Sequence, residues 1–164
     1  MRALVLGAET PAGRAIAAAL AEAGAQLALV ASSTDAETAF AVQRLARRAG
    51  AALSQAIDAT NEMAVRVMTR QVSKALGGLD AVVFCADLGA GTAASLALAC
   101  RFAAREMAPD RGRGGAIVVA CAAAMPTSED LPNGVRLVAA DVPAAPDDAW
   151  AREVVARLAS PPHP

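Results

Sequence analysis

The stretch ALVLGAETPAG, residues 3–13, decides the fold of this 164-residue chain. Its apolar start, residues 3–6, is typical of a parallel strand that is buried on both faces. Gly7 ends this run. Thr10 and Pro11 then carry the signals of a helix start, an N-cap hydroxyl and a proline at the first helical position. The stretch therefore predicts a strand, a tight turn and a helix in direct succession.

The same alternation continues along the chain. After the first strand, apolar runs of strand length recur at 26–31, 53–57, 81–86, 116–121 and 135–140. Amphipathic segments predict helices at 11–23, 35–49, 60–77, 93–107 and 147–159. This order predicts an α/β fold, a doubly wound parallel sheet (Rossmann-like) of about six strands within a three-layer αβα arrangement. We expect a single domain, residues 1–160, followed by a disordered tail at 161–164.

Composition excludes several classes of protein. Hydrophobic residues make up 55% of the sequence and charged residues 19%, which excludes an intrinsically disordered chain. The formal net charge is −1, and the basic residues cluster only at Arg44, Arg47 and Arg48, so we expect no nucleic-acid partner. The most apolar stretch, residues 15–31, contains Glu22 and Gln26 and is not a membrane span.

The cysteines and the first residues indicate the compartment. Three cysteines lack a disulfide-like spacing, and the apolar run at the N-terminus is too short for a signal peptide. We therefore expect a cytoplasmic protein. The single histidine, His163, lies in the predicted tail, and we expect no metal site.

The turn after the first strand has features of a phosphate-binding loop. In such turns, backbone N–H groups and a helix N-terminus face a pyrophosphate. Gly7 permits a tight turn, Gly13 allows close approach of the helix, and Thr10 offers a hydroxyl to a phosphate oxygen. A helix cap without any ligand accounts for the same residues, because one glycine pair is a weak signal.

Beyond this turn, the chain resembles the short-chain dehydrogenase/reductase family. The turn is similar to the family's Thr-Gly-x-x-x-Gly-x-Gly, with Gly7 and Gly13 kept and Pro11 at the middle glycine. Residues 57–60 resemble its Asp-Val motif, and residues 75–83 resemble the approach to its fourth strand. Later matches in the same order lie at residues 114–118, 133–137 and 155–160.

The resemblance implies weak binding of a dinucleotide, NAD or NADP. Pro11 removes an N–H from the turn, and Asp87 adds negative charge near the cofactor path. In this fold an acid at the end of the second strand selects NAD and a base selects NADP. Ala31 and Ser32 stand there and encode neither preference, which therefore stays unresolved. The residues implied to line the cofactor are Gly7, Thr10, Ala12, Gly13, Ser32, Asp58, Ala59 and Ala86.

The family's catalytic residues have no counterparts in this chain. The serine position maps to Ala122 or, with a slip of one residue, to Cys121. The Tyr-x-x-x-Lys helix is missing, since the chain contains no tyrosine and its lysine, Lys74, lies far upstream. We therefore assign no catalytic residue, and whether the chain is an enzyme stays open.

Three functional hypotheses follow. The first is a degenerate or regulatory family member that binds NAD(P) without Ser-Tyr-Lys catalysis. The second is an active NAD(P)-dependent oxidoreductase with an unconventional proton donor, for which Cys121, Thr92 and Asp87 are the candidates. The third is an interaction module that binds no nucleotide. Family members assemble through two long helices, one of which is missing here, so we expect a monomer or a weak homodimer.

Overall fold

The apolar runs of the sequence pair side by side as the strands of one sheet. A computed structural model describes residues 1–108, 114–123, 125–126 and 131–159. The strands are β1 (Arg2–Leu6), β2 (Gln26–Ala31), β3 (Leu53–Ala56), β4 (Ala81–Phe84), β5 (Gly115–Val119) and β6 (Val135–Ala139). The helices are α1 (Pro11–Glu22), α2 (Ala36–Ala49), α3 (Glu62–Leu76), α4 (Thr92–Met107) and α5 (Asp148–Ala159).

The strand order creates a switch point in the middle of the sheet. All neighbouring strands are parallel, and they lie in the order β3-β2-β1-β4-β5-β6. Leu4 of β1 therefore lies between Ala28 of β2 and Val82 of β4. Beyond the carboxyl ends of β1 and β4 the connections leave in opposite directions, which is where open α/β sheets bind ligands. The predicted doubly wound, Rossmann-like sheet is confirmed.

Helices cover both faces of this sheet. Because side chains alternate along a strand, Ala3 and Val5 of β1 face a core that includes Ile16 of α1. Residues of α2 and α5 complete that core. On the opposite face, Leu4 and Leu6 pack in a second core with α3 and α4. The three-layer αβα arrangement is also confirmed.

Most element boundaries match the predicted ones closely. Strand β4 ends at Phe84 rather than residue 86, although the Cys85 N–H still donates to the Leu6 carbonyl at 2.8 Å. Helix α4 begins at Thr92 because a short 3-10 turn, Gly89–Gly91, leads into it. The predicted tail, residues 161–164, lies outside the described residues, and the single-domain assignment stays a prediction.

An ion pair between Arg2 and Asp80 joins the starts of β1 and β4 at the amino edge of the sheet. The main-chain N–H and Nε of Arg2 donate to Oδ2 of Asp80 at 2.8 and 2.9 Å. Nη2 of Arg2 donates to Oδ1 at 2.5 Å, which completes a bidentate pair. These bonds to Arg2 lower the pKa of Asp80. The pair stabilises the alignment of β1 with β4, the two strands that flank the switch point.

Candidate functional site

A cleft of about 530 Å³ opens at the carboxyl edge of the sheet, above the switch point. Its walls come from the turn before α1, the end of β4, the start of α4, the end of β5 and the segment before α5. Small side chains dominate its lining, among them Ala12, Ala86 and Ala122. A cleft of this size at this position is suited to an extended ligand that crosses the sheet.

The turn between β1 and α1 is too tight for any residue but glycine at two positions. Gly7 has a φ of +87°, and a Cβ built on it would lie 2.3 Å from the main-chain nitrogen of Ala86. A Cβ built on Gly13 would lie 2.3 Å from the Gly7 carbonyl oxygen and 2.9 Å from the Ala8 Cα. These contacts bring the first turn of α1 directly against the end of β1, as the sequence predicts.

Thr10 caps α1 from within this turn. Its Oγ1 accepts a hydrogen bond from the Gly13 N–H at 3.0 Å and donates to the Gly7 carbonyl at 2.9 Å. The hydroxyl proton that was expected to reach a phosphate is therefore used inside the turn. Among the first residues of α1, Pro11 has no N–H, and the Arg14 N–H donates to the Thr10 carbonyl at 2.9 Å.

The Ala12 N–H is the donor that this helix start leaves for a ligand. No hydrogen bond joins it to another residue in the part of the chain that the structure describes. Ala12 also lines the cleft. An unpaired N–H at a helix N-terminus carries partial positive charge and favours an anion. The start of α1 thus offers one free N–H to an anion, where a glycine in place of Pro11 would offer two.

Glu9 occupies the end of β2, which the sequence reasoning did not anticipate. Its Oε1 accepts a hydrogen bond from the Ser32 N–H at 3.1 Å, and the Ser32 hydroxyl donates to the same oxygen. Ser32 is buried and Glu9 half-buried. The turn and the second strand are therefore joined through a carboxylate. Ser32 follows Glu9 by 23 residues, so no local sequence pattern predicts this contact. The sequence shows only that Glu9 lies in the turn.

The segment after β3 adjoins Ser32. The Ala59 N–H donates to the Ser32 carbonyl at 3.2 Å, and Ala59 is fully buried. Asp58 is exposed, and its Oδ1 accepts from the N–H and the hydroxyl of Thr60 at 3.0 and 2.6 Å. Those bonds to Thr60 lower the pKa of Asp58, which stays ionised at neutral pH. The structure thus brings Ser32 next to Ala59, which Asp58 directly precedes in the chain.

The other half of the cleft, at β4 and β5, contains two thiols and a carboxylate. Burial raises the pKa of the Cys85 thiol far above its usual range. Burial is also the main reason why the pKa of Cys121 is raised, and the charge of Asp87 adds to it. Both thiols are protonated at neutral pH, where they are poor nucleophiles and weak hydrogen-bond donors. The Oγ1 of Thr92 accepts a hydrogen bond from the Leu88 N–H at 2.9 Å.

Comparison with known proteins assigns the family. The sequence model for "short chain dehydrogenase" matches residues 1–129. The chain belongs to the short-chain dehydrogenase family. The matched residues run from the start of β1 past β5, and they include the turn with Gly7 and Gly13. A search of curated proteins found no match.

Solved structures of the short-chain dehydrogenases agree with this assignment. A short-chain type dehydrogenase/reductase from Mycobacterium marinum is 32% identical, with a TM-score of 0.61 over 73% of this chain and 54% of that chain. A short-chain dehydrogenase from Burkholderia cenocepacia J2315 in complex with NADP is 33% identical, with a TM-score of 0.57 over the same shares. NAD⁺-bound xylitol dehydrogenase, 22% identical, has a TM-score of 0.59 over 72% of this chain and 51% of that one, and shows the fold alone.

This chain therefore spans about half the length of the short-chain dehydrogenases that it matches. The positions that resemble the family's catalytic serine, Cys121 and Ala122, lie in the cleft. Lys74 lies outside the cleft. It is exposed in the last turn of α3, which ends at the amino edge of the sheet. The described residues between β5 and β6, namely 120–123, 125–126 and 131–134, form no helix.

Two further observations bear on possible ligands and surroundings. Within the described ranges, no group of histidine, cysteine, aspartate and glutamate side chains is arranged to hold a metal ion. None of the helices that the structure describes is both long and apolar enough to cross a membrane.

Proposed function

We propose that this chain binds NAD or NADP weakly at the carboxyl edge of its sheet and lacks the Ser-Tyr-Lys catalysis of its family. It is then a degenerate or regulatory short-chain dehydrogenase. The observation that carries this proposal is the turn from Gly7 to Gly13, which places Ala12, whose N–H has no hydrogen-bond partner among the described residues, in the lining of the cleft. The NADP complex of the Burkholderia cenocepacia relative, at 33% identity, supports the choice of ligand.

The residues present fit a dinucleotide. The pyrophosphate is proposed to lie against Ala12 and Gly13, where a side chain larger than hydrogen at Gly13 would clash with the turn itself. The adenosine half is proposed to lie toward Ser32, Asp58 and Ala59, and the nicotinamide half toward Ala86 in the cleft. When bound, the dinucleotide supplies a nicotinamide that can donate or accept hydride.

The chain's own side chains offer little acid–base chemistry beside the proposed nicotinamide position. Acid–base catalysis is most efficient with a group whose pKa is close to the working pH. Burial moves the pKa values of Cys85 and Cys121 away from neutrality. Asp87 is exposed, and its carboxylate accepts the Gly89 N–H at 3.4 Å. These groups support a binding role rather than carbonyl reduction.

A titration with NADH and NADPH, followed by calorimetry and amide NMR spectra, tests the proposal. We expect dissociation constants in the high micromolar to millimolar range, because the turn lacks a charge-assisted hydrogen bond worth about 1.5–3 kcal/mol. Amide shifts should concentrate at Gly7, Ala12, Gly13 and Ala86. If neither cofactor shifts these amides at millimolar concentration, the proposal is wrong and the chain is better described as an interaction module.

Two charge variants make this test specific. Pro11→Glu places a carboxylate beside the proposed pyrophosphate, while an acid in the first turn of a helix is favourable for folding. Ala52→Glu places the same charge just before β3, at the amino edge of the sheet. Both residues are exposed. Because any residue other than proline restores the main-chain N–H at position 11, the charge effect is read against Pro11→Gln: Pro11→Glu should bind at least about tenfold more weakly than Pro11→Gln, by the cost of like charges. Ala52→Glu should leave binding unchanged.

The domain organisation, oligomeric state and cellular compartment of the chain are part of the same proposal. We propose a single domain over residues 1–160 and a monomer or weak homodimer in the cytoplasm, with no nucleic-acid partner. The three free cysteines support a reducing compartment, since Cys85 and Cys100 are buried as thiols. Light scattering over a range of concentrations tests the oligomeric state, and a stable tetramer would contradict it.

A further inference from the structure

The carboxylate of Glu9 lies where a Rossmann-type sheet places its ribose-recognition group. In such sheets an acid that follows β2 accepts a hydrogen bond from the ribose 2′-hydroxyl of the adenosine half. In this chain β2 continues into Ser32 and Ser33, which are not acids. Glu9 reaches the same place from the turn before α1, and its two oxygens lie 3.1 and 3.3 Å from the Ser32 nitrogen.

We propose that Glu9 makes this chain select NAD over NADP. The inference rests on the proposed dinucleotide binding. A carboxylate at this position can accept a hydrogen bond from the 2′-hydroxyl of NAD. The 2′-phosphate of NADP carries between about −1.5 and −2 charges at neutral pH, and it would meet this carboxylate at close range. Sequence reasoning from Ala31 and Ser32 left the preference unresolved because it did not place Glu9 at the end of β2.

The geometry holds the carboxylate in place rather than leaving it free in solvent. The Ser32 N–H and hydroxyl both donate to it, and Ser32 is 3% exposed. A group that is fixed by two donors cannot swing away from an incoming phosphate without losing both bonds. The preference for the 2′-hydroxyl is therefore built into the folded turn.

The surrounding charges favour the same outcome. Asp35 caps α2 just beyond β2, and Asp58 follows β3, so two further carboxylates lie near this edge. Hydrogen bonds from Thr38 and Thr60 lower the pKa values of Asp35 and Asp58, respectively, which keeps both ionised. Arg14 is the cation beside the turn, and its guanidinium donates to the main-chain carbonyl of Glu9 rather than to the carboxylate.

The test compares NADH with NADPH, and 5′-AMP with adenosine 2′,5′-bisphosphate, by calorimetry on the wild-type chain and on Glu9→Gln. The wild type should bind NADH about ten- to a hundredfold more tightly than NADPH, as expected for a hydrogen bond to a charged group. Glu9→Gln should bring the two affinities within a few-fold of each other, mainly by strengthening NADPH binding. The AMP pair should follow the same order, which assigns the effect to the 2′-phosphate.

Two further variants keep the test decisive. Glu153→Gln removes the same charge from an exposed position of α5, away from the edge formed by β2 and β3, and should leave the ratio unchanged. Ser32→Ala removes the hydroxyl that holds Glu9 and should reduce the preference if Glu9→Gln does not fold. Equal binding of both cofactors by the wild type, with no change in Glu9→Gln, would overturn the role of Glu9 while dinucleotide binding stands. Binding of neither cofactor by any variant would overturn both.

Discussion

Substitution of Gly13 by alanine tests the packing on which the proposed site depends. The new Cβ would lie 2.3 Å from the Gly7 carbonyl oxygen. Carbon and oxygen atoms approach comfortably only to about 3.3 Å, so the start of α1 must move by roughly 1 Å. Overpacking of this kind costs about 1–3 kcal/mol, and the gain in helix propensity from glycine to alanine, about 0.5–1 kcal/mol, offsets part of it.

We therefore expect Gly13→Ala to lower the free energy of unfolding by about 1–2 kcal/mol, which lowers Tm by roughly 2–8 °C in a domain of this size. Gly91→Ala is the matched control, because its φ is −81° and its Cβ would meet only side-chain atoms, a Thr60 methyl at 3.3 Å and the Leu88 Cβ at 3.7 Å. Urea and thermal unfolding measure both variants. A Gly13→Ala protein that is as stable as Gly91→Ala, and that binds NADH like the wild type, would refute the packing argument.

Three further outcomes follow from the structure. A screen of ketones and alcohols with both cofactors should show no turnover, and turnover that disappears in Cys121→Ala would establish an unconventional proton donor instead. Asp80→Asn should cost about 1–2 kcal/mol at neutral pH. Arg2 lowers the pKa of Asp80 below its ordinary value of 3.8 in the folded protein. The contribution of Asp80 to the free energy of unfolding is therefore complete above pH 3.8 and is lost as the pH falls through the lowered pKa of the folded state. Urea unfolding at several pH values measures this loss. Ser95→Ala should be neutral or stabilising by up to about 1 kcal/mol, since the buried Ser95 hydroxyl has no hydrogen-bond partner among the described residues.

Local sequence signals predicted the turn well because its contacts are local. Thr10, Pro11 and Gly13 lie within one helical turn of each other, and capping preferences describe such short-range contacts directly. The observed bond from the Gly13 N–H to Thr10 confirms the predicted cap. The sheet was also predictable, since each buried strand has its own apolar run and parallel order follows from the intervening helices.

The contacts between distant segments were not predictable in the same way. Arg2 and Asp80 are 78 positions apart, and Glu9 and Ser32 are 23 apart. Their pairing depends on strand register and on side-chain rotamers, which no local pattern contains. A single sequence shows that Glu9 lies in the turn, but only the folded turn shows that its carboxylate faces β2. The proposed cofactor preference therefore rests on a side-chain position that the sequence alone does not give.

The carboxyl edge of the sheet divides into two halves with different chemical demands. The half at β1, β2 and β3 offers a main-chain N–H, glycines and a fixed carboxylate, and Gly7 and Gly13 are also required for the strand and helix to pack. The half at β4 and β5 would need an acid or base with a pKa near neutrality, which the fold itself does not require. Here that half is lined by alanines and by thiols with raised pKa values. Changes that remove catalysis can thus leave the sheet and the first half intact, and the proposed function requires this separation of the two halves.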